Sequence, residues 1–569
     1  MKPAALSPRA RTEALREMSE GRPLDVLVIG GGVVGAGTAL DAATRGLRVG
    51  VVEARDWASG TSSRSSKLIH GGLRYLEMFD FRLVAEALRE RGLLLQRLAP
   101  HLMRPVPFLY PLTHRAWERP YVAAGLTLYD TMGLTRGNSR GLPHHRHLSR
   151  TKALAEFPAL RPDALVGGVQ YWDVQVDDAR HTMTLVRTAA SYGALAANRA
   201  RAVALLRDGE RVTGARVEDT ETGRVADVHA RVVINATGVW SDDVDALAGA
   251  HSEVGVRASK GVHLVVPRDR IEGETGLILR TEKSVLFVIP RDRHWLIGTT
   301  DTDWELNKAH PAATAGDIDY LLEHVNKVLR TPIGRDDIVG VYAGLRPLIA
   351  GKSAETAKLS REHSVTHPLP GLVAVAGGKY TTYRVMAEDT VDEAAKDLGD
   401  VPAAVTDRVP LAGAEGYPAL LRRVPALAAD LGVGAETVER LLGRYGDLLP
   451  ELLALIDEDP ALAEPLPGAP GYLRAEIAYA ATHEGAQHLD DVLTRRTRIS
   501  IEERDRGVTA AEPAARLAAP ALGWDEDRIR EEVAAYTARV EAELRSQEQP
   551  DDTGADAARL AAADLVPVP

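Results

Sequence analysis

Residues 24–53 constrain this chain more than any other stretch. An apolar run over 26–29 reads as a strand buried on both faces. It leads into Gly30-x-Gly32-x-x-Gly35, and the pattern then turns helical, with Ala39 four residues on. A second apolar run, 49–52, ends at Glu53, 18 residues after Gly35. Each part has a task in holding a dinucleotide. Gly30 permits a tight strand-to-helix turn, Gly32 lets the backbone approach a pyrophosphate, and Gly35 lets the helix pack on the strand. The helix N-terminus offers unpaired N–H groups and a partial positive charge to phosphates. Glu53 can accept hydrogen bonds from a ribose diol. A lone glycine triplet is weak evidence; strand, helix and acid together favour a dinucleotide site over a plain structural turn.

Composition narrows the chemistry. The 569 residues suggest two to four domains. Cysteine is absent, which excludes disulfides, iron–sulfur clusters, thiolate zinc sites and cysteine nucleophiles. A net charge of -11 argues against a general nucleic-acid binder. Residues 1–22 lack the apolar core of a signal peptide, and no apolar run is long enough to span a bilayer. The expectation is a cytoplasmic protein. In the leader, Lys2, Arg9, Arg11, Arg16 and Arg22 outnumber Glu13, Glu17 and Glu20, so it reads either as a solvated, partly disordered segment or as a helix touching anionic lipid.

Further along, the polar, glycine-rich segment 59–77 follows the second strand directly. It carries Thr61, Ser62, Ser66, Lys67, His70, Gly71, Gly72, Arg74 and Tyr75, suited to lining a cofactor's phosphates and ring edge. His144, His145 and His147 read as a solvated loop before a metal tract, since no acid or cysteine lies near. No metal is expected. The run 231–240 is a buried strand ending in Ala236-Thr237-Gly238, a second close backbone approach. The stretches 254–267 and 284–300 alternate and suggest a second, largely antiparallel sheet. Asp301 and Asp303 at its end read as a capped turn rather than as acid–base groups. The strand 371–376 runs into Gly377-Gly378-Lys379-Tyr380-Thr381, a third glycine turn opening a helix. From about residue 401 the composition becomes helical. Arg495, Arg496 and Arg498 form a basic cluster expected to serve packing or ion pairing.

At this point the residues resemble the FAD-dependent glycerol-3-phosphate dehydrogenases. Residues 29–46, IGGGVVGAGTALDAATRG, and 377–387, GGKYTTYRVMA, look like that family's two signatures. SSKLIHGGLRYLE, VINATGVW, KGVHLVV, GTTDTDW, GLRPL and LDDVLTRRTRIS support the match over roughly 24–544. The resemblance implies an α/β plus α+β architecture. It comprises a Rossmann-like FAD domain of the p-hydroxybenzoate-hydroxylase/glutathione-reductase type, an antiparallel β-rich substrate domain and a helical C-terminal domain. The expected boundaries are a leader (1–22), FAD parts at about 23–110, 165–250 and 340–400, and substrate parts at about 111–164 and 251–339. A helical domain (401–549) and a disordered tail (550–569) complete the chain.

The implied activity is oxidation of sn-glycerol 3-phosphate to dihydroxyacetone phosphate. Electrons would pass through FAD to a membrane quinone, in a homodimer held peripherally on the inner face of the plasma membrane. The candidate catalytic residues are His263 as base, Arg346 and Lys379. Arg74, Tyr75, Arg361 and Thr381 join them as substrate contacts. A guanidinium fork suits the phosphate, and an imidazole can accept a proton near neutral pH. The FAD contacts expected are Gly30, Gly32, Val34, Gly35, Glu53, Ala54, Thr61, Ser62, Ser66, Lys67, His70, Gly71 and Gly72. Ala202, Val203, Ala236, Thr237, Gly238, Trp240, Arg346, Gly378, Lys379, Tyr380 and Thr381 complete that set.

Alternatives stay open at this level. One is a glycerophosphate oxidase using oxygen; another is a related flavoprotein acting on an amino or hydroxy acid. A third is a redox-sensing protein that never turns over. Against a simple NAD domain stand the extra segments 59–77, 232–238 and 377–384, which an extended FAD requires.

Overall fold

The computed structural model describes residues 3–72, 80–114, 118–134, 142–249, 255–281, 285–350 and 362–568. Among these, eight strands form one sheet and ten another. In the first, the spatial order is His363–Leu369, Leu372–Gly377, Arg224–Asn235, Leu24–Ile29, Val49–Val52 and Leu195–Ala197. The five strands from Leu372–Gly377 onward pair in parallel. Their residues are apolar on both faces because both are covered: Val33–Thr44, Asp178–Ser191 and Tyr383–Leu398 form one core with Val26, Val28, Val232, Ile234 and Val373, and on the other face Leu27 and Val233 pack with Leu205, Val212, Val217, Ala14 and Met18. A hairpin of Ala200–Asp208 and Arg211–Asp219 extends this sheet through Arg224–Asn235.

The second sheet is mostly antiparallel. Its central pair, Val256–Pro267 and Gly340–Ile349, is in register over ten residue pairs, from Val256 opposite Ile349 to Val265 opposite Gly340. Strand alternation then decides which side chains meet. Val262, Leu264 and Val266 join one core, while Ser259, Gly261 and His263 share the other face with Tyr342 and Arg346, which pair with His263 and Ser259.

Several boundaries differ from expectation. Arg104–Leu112, Gly167–Gln175 and Gly340–Ile349 all belong to the second sheet, although the expected FAD parts run to about 110 and include 340–349. The first two pair with each other from Arg104–Gln175 to Leu112–Gly167, so strand pairing, not chain proximity to the glycine motif, sets their domain. Within the expected helical domain, residues 417–431 form two helices, Tyr417–Leu421 and Val424–Leu431, the second starting with a proline in its first turn. A helix at Val508–Leu522 had no sequence expectation, because Pro513 and Pro520 interrupt its pattern.

Both ends of the chain are docked. The leader forms a helix, Pro8–Glu20, with Arg11, Ala14 and Met18 buried. Ala14 and Met18 share a core with Leu24, Leu27 and Val52, and Arg11 donates to the Asn198 and Arg199 carbonyls at 2.8 and 3.0 Å. Its apolar face is therefore spent on the protein and is not turned to lipid. The tail, expected to be disordered, is helical at Asp552–Leu560 with Ala555 fully buried. Matched charges order it: Asp552 pairs with buried Lys260, and Asp564 with His310 at 2.9 Å. No helix of the described residues is long and apolar enough to cross a membrane.

Candidate active site

Parallel strands put their C-terminal ends on one edge, and ligands of such sheets bind there. The C-terminal ends of Leu24–Ile29, Arg224–Asn235 and Leu372–Gly377 open on one cavity of about 500 Å³. All three glycine corners line it: Gly30 and Gly32, Ala236 to Gly238, Gly377 and Gly378. Gly30 sits at φ +115°, where a Cβ would lie 2.6 Å from the Ala236 carbonyl oxygen. Gly35 does not line the cavity; a Cβ there would collide with the Gly30 carbonyl, which is the helix–strand packing role expected of it. The residues fit an extended dinucleotide. Gly238, at φ +61°, has no protein atom within 4 Å of where a Cβ would sit, and the helix Val33–Thr44 begins with no side-chain cap on Gly32.

Glu53 is buried at this edge. Its carboxylate accepts the Gly31 N–H at 2.7 Å and the Arg55 N–H at 2.8 Å. Burial raises its pKa, and the two backbone donors pull it back. The loop over 59–66 is tied to its surroundings by its own hydroxyls. Ser62 Oγ accepts the Val33 N–H at 2.9 Å, and Thr61 Oγ1 donates to the Leu345 carbonyl at 2.6 Å.

The second sheet supplies the opposite wall. His263 is 3% exposed and its ring stacks on Tyr342, centroids 4.8 Å apart and 9° from parallel. Its Nε2 lies 2.9 Å from Ser66 Oγ; its Nδ1 is buried with no hydrogen-bond partner among the described residues. Buried orphan polar atoms are rare in native proteins, and function is one of their few explanations. Burial first, then the positive charges of Arg346 and Lys67, lower its pKa to about 3, so the ring is neutral at physiological pH. Arg346 donates to Thr299 Oγ1 and the Thr300 carbonyl, both at 3.1 Å, and approaches Asp301 at 3.4 Å. Gly261 makes room for it: a Cβ there would lie 2.5 Å from Arg346 Nη2. Asp301 thus positions an arginine, whereas Asp303 pairs with exposed Arg257. Lys379 and Thr381 line the cavity from the first sheet, where the third glycine turn enters the helix Tyr383–Leu398, and Thr381 Oγ1 accepts the His70 N–H at 3.2 Å.

Of the expected cofactor contacts, Gly30, Gly32, Val34, Glu53, Ala54, Thr61, Ser62, Ser66, His70, Ala202, Val203, Ala236, Thr237, Gly238, Trp240, Arg346, Gly378, Lys379, Tyr380 and Thr381 line the cavity. Lys67 does not. Its ammonium is fully buried, 2.8 Å from Asp178 and 2.9 Å from the Ser63 carbonyl, and burial lowers its pKa to about 8. Gly71 and Gly72 also stay off the wall; Gly71 packs against Tyr129 and donates to its hydroxyl at 2.9 Å. Arg74, Tyr75 and Arg361 lie outside the described residues. Three cations on the wall had no sequence expectation, Arg55, Arg64 and Arg201. The first two stand beside assigned residues, Glu53 and Ser66, and strand-end proximity was their only signal. The cluster Arg495, Arg496 and Arg498 is ion-paired, with Asp56, Asp490, Asp491, Asp177 and Asp178. Among the described residues no group of histidines and acids is arranged to hold a metal.

Comparison with known proteins places this geometry. A family model described as FAD dependent oxidoreductase matches residues 25–392, and one described as the C-terminal domain of alpha-glycerophosphate oxidase matches 404–529. The chain is 56% identical to glycerol-3-phosphate dehydrogenase 2 of Mycobacterium tuberculosis, over 100% of this chain and 97% of that protein. It is 37% identical to the mitochondrial glycerol-3-phosphate dehydrogenase of Mus musculus, over 94% of this chain and 75% of that one. Among solved structures, the glycerol-3-phosphate dehydrogenase of Bacillus halodurans complexed with FAD superposes with a TM-score of 0.77 at 30% identity, covering 94% of this chain and 98% of that chain.

Proposed function

The chain belongs to the FAD-dependent glycerol-3-phosphate dehydrogenases, and on that premise we propose that it oxidises sn-glycerol 3-phosphate to dihydroxyacetone phosphate and passes the electrons to a membrane quinone. One observation carries the reading. One cavity sets a neutral, buried imidazole, His263, and the cation Arg346 on one wall, with Lys379 at the third glycine corner. The substrate is a phosphate dianion bearing a secondary alcohol, and it needs both.

When bound, FAD supplies the hydride acceptor. The protein's residues do the rest. Arg346 and Lys379 hold the negative charge of the substrate, with Arg74, Tyr75 and Arg361 as further contacts. His263 takes the hydroxyl proton on its unprotonated ring nitrogen, with cavity-lining Ser66 at 2.9 Å from Nε2. Stacking on Tyr342 holds the ring plane, and Ser66 holds its rotation. Thr381 and the helix start behind it set N–H dipoles toward negative charge that develops in this cavity. Loss of the central carbon's hydrogen as hydride and of the hydroxyl proton to His263 leaves the ketone, and the charges balance.

The working assembly in this reading is a homodimer bound peripherally at the cytoplasmic membrane face. The docked leader leaves that attachment to other surfaces. Anaerobic spectroscopy tests the core of it. Glycerol 3-phosphate should bleach the visible flavin band, glycerol should not, and a soluble quinone should restore it faster than oxygen. Equal restoration by oxygen would favour the oxidase; a band indifferent to the substrate would end the proposal.

A further inference from the structure

The tail beyond the helical domain reaches the cofactor cavity. The Gln549 carbonyl accepts the Ala315 N–H at 2.9 Å, which anchors the start of the segment on the substrate domain. Asp552 next pairs with Lys260, a buried cation on the His263 strand that also bonds Asp317 at 2.7 Å. Ala555 is fully buried in a cluster with Val239, Trp304 and Leu345, and of these Val239 and Leu345 line the cavity. Arg559 Nη2 lies 3.1 Å from His310 Nδ1, and Asp564 takes the other ring nitrogen at 2.9 Å. At the far end, Arg55 Nη2 donates to the Val568 carbonyl at 2.7 Å. Both Val568 and Arg55 line the cavity, and the Arg55 guanidinium sits over Trp240, which lines it too.

This is the end of the cavity marked by Glu53, the acid that a dinucleotide's ribose seeks. We propose that residues 549–568 are a structural part of the FAD site: a strap that crosses from the substrate domain, packs behind Val239 and Leu345, and closes the Glu53–Arg55 end of the cavity over the bound cofactor. The proposal rests on the FAD reading and adds to it a retaining element. Charge explains the choice of residues. Of the acids next to Arg55 along the chain, Glu53 gives its oxygens to backbone N–H groups and Asp56 is paired with Arg495 and Arg496. Asp564 adds a negative charge close enough to favour protonated Arg55, while burial opposes it. The strap therefore sets an acid near, and bonds a carbonyl to, a half-buried cation on the cavity rim. Cofactor leaving by that end must break the Arg55–Val568 bond and lift the 564–568 stretch, so the strap slows release more than it alters the bound pose.

The test compares holoenzymes. A chain ended after Glu548, and the full-length double variant Asp552→Asn/Asp564→Asn, are each diluted, and FAD release is followed by the rise of free-flavin fluorescence. Circular dichroism reports their folding. Release should be on the order of tenfold faster in the shortened chain and several-fold faster in the double variant. Both should still fill with FAD when it is in excess. Release from the folded shortened chain at the parent's rate overturns the strap. If the shortened chain does not fold, the parent's rate in the double variant overturns it instead. A parent protein that binds no flavin at all would sink the cofactor reading, a separate outcome.

Discussion

Arg496 and Arg346 are both cations set into the interior, and they are satisfied in opposite ways. Arg496 makes two bonds to the Asp56 carboxylate, at 2.6 and 2.7 Å, and a third to the Glu484 carbonyl at 2.8 Å. Its neighbours follow suit: Arg495 shares Asp56 with Asp490 and Asp491, and Arg498 takes Asp177 and Asp178. Arg346 approaches the Asp301 carboxylate at 3.4 Å and bonds the Thr299 hydroxyl and the Thr300 carbonyl. The first group is charge matched to charge at short range, an arrangement that fixes where the helical domain sits on the cofactor domain. The second stands at a cavity wall, where a guanidinium can meet an anionic ligand. Two histidines report the same contrast. His488 lies between Glu221 and Glu532, which overcome burial and Arg199 and push its pKa up to about 9. His263, buried beside Arg346, is pushed down to about 3.

The contrast can be broken most sharply at His263. His263→Asn should keep FAD and fold, and turnover should fall by roughly 10²–10⁴. Flavin content and steady-state rates measured on one preparation check this; unchanged turnover would remove His263 as the base. Next in size is the paired region. Asp56→Asn leaves two buried guanidinium groups short of their shared acid, and unfolding in denaturant should lose about 3–5 kcal/mol. Turnover per bound flavin should hardly change in that variant. If it folds as stably as the parent, charge matching is not what seats the helical domain.

Arg346→Gln should do the reverse. KM for glycerol 3-phosphate should rise by roughly tenfold or more, with stability altered by under ~1 kcal/mol. A large stability loss instead would place Arg346 with the structural arginines. The smallest effect is the pH profile of stability. The folded pKa of His488 lies above its unfolded value, so its contribution is whole below about pH 6.5 and is lost as pH rises through about 9. His263 has a folded pKa below its unfolded value; the unfolded chain binds the extra proton, so stability falls as pH drops from about 6.5 toward 3. His488→Asn should flatten the alkaline limb and leave the acid limb as it was, as thermal melts across pH would reveal.

Much of the site was legible in the chain because its determinants are short-range. Gly30, Gly32 and Glu53 act within thirty residues, and each has a local reason to exist: a positive φ, a close approach, a strand-end acid. His263 was legible as one polar residue in the apolar run VHLVV, and the structure puts it on the wall with Arg346 through antiparallel register. Lys67 misled for the same local reason. Sitting among cavity residues, it turns inward to Asp178, 111 positions away, and no pattern near Lys67 announces that partner. The tail misled through composition. Small and acidic in isolation, it finds Lys260, His310 and Arg55 only once the domains have folded.

By itself the sequence determined the parallel cofactor sheet, the three glycine corners and the presence of a separate helical region, since periodicity and backbone sterics are properties of neighbouring residues. Tertiary structure alone decided which cations are matched to carboxylates in the core and which come to line the cavity. Asp56 and Arg496 are 440 positions apart, and Coulombic pairing depends on distance in space and on burial, neither of which the order of residues along the chain records.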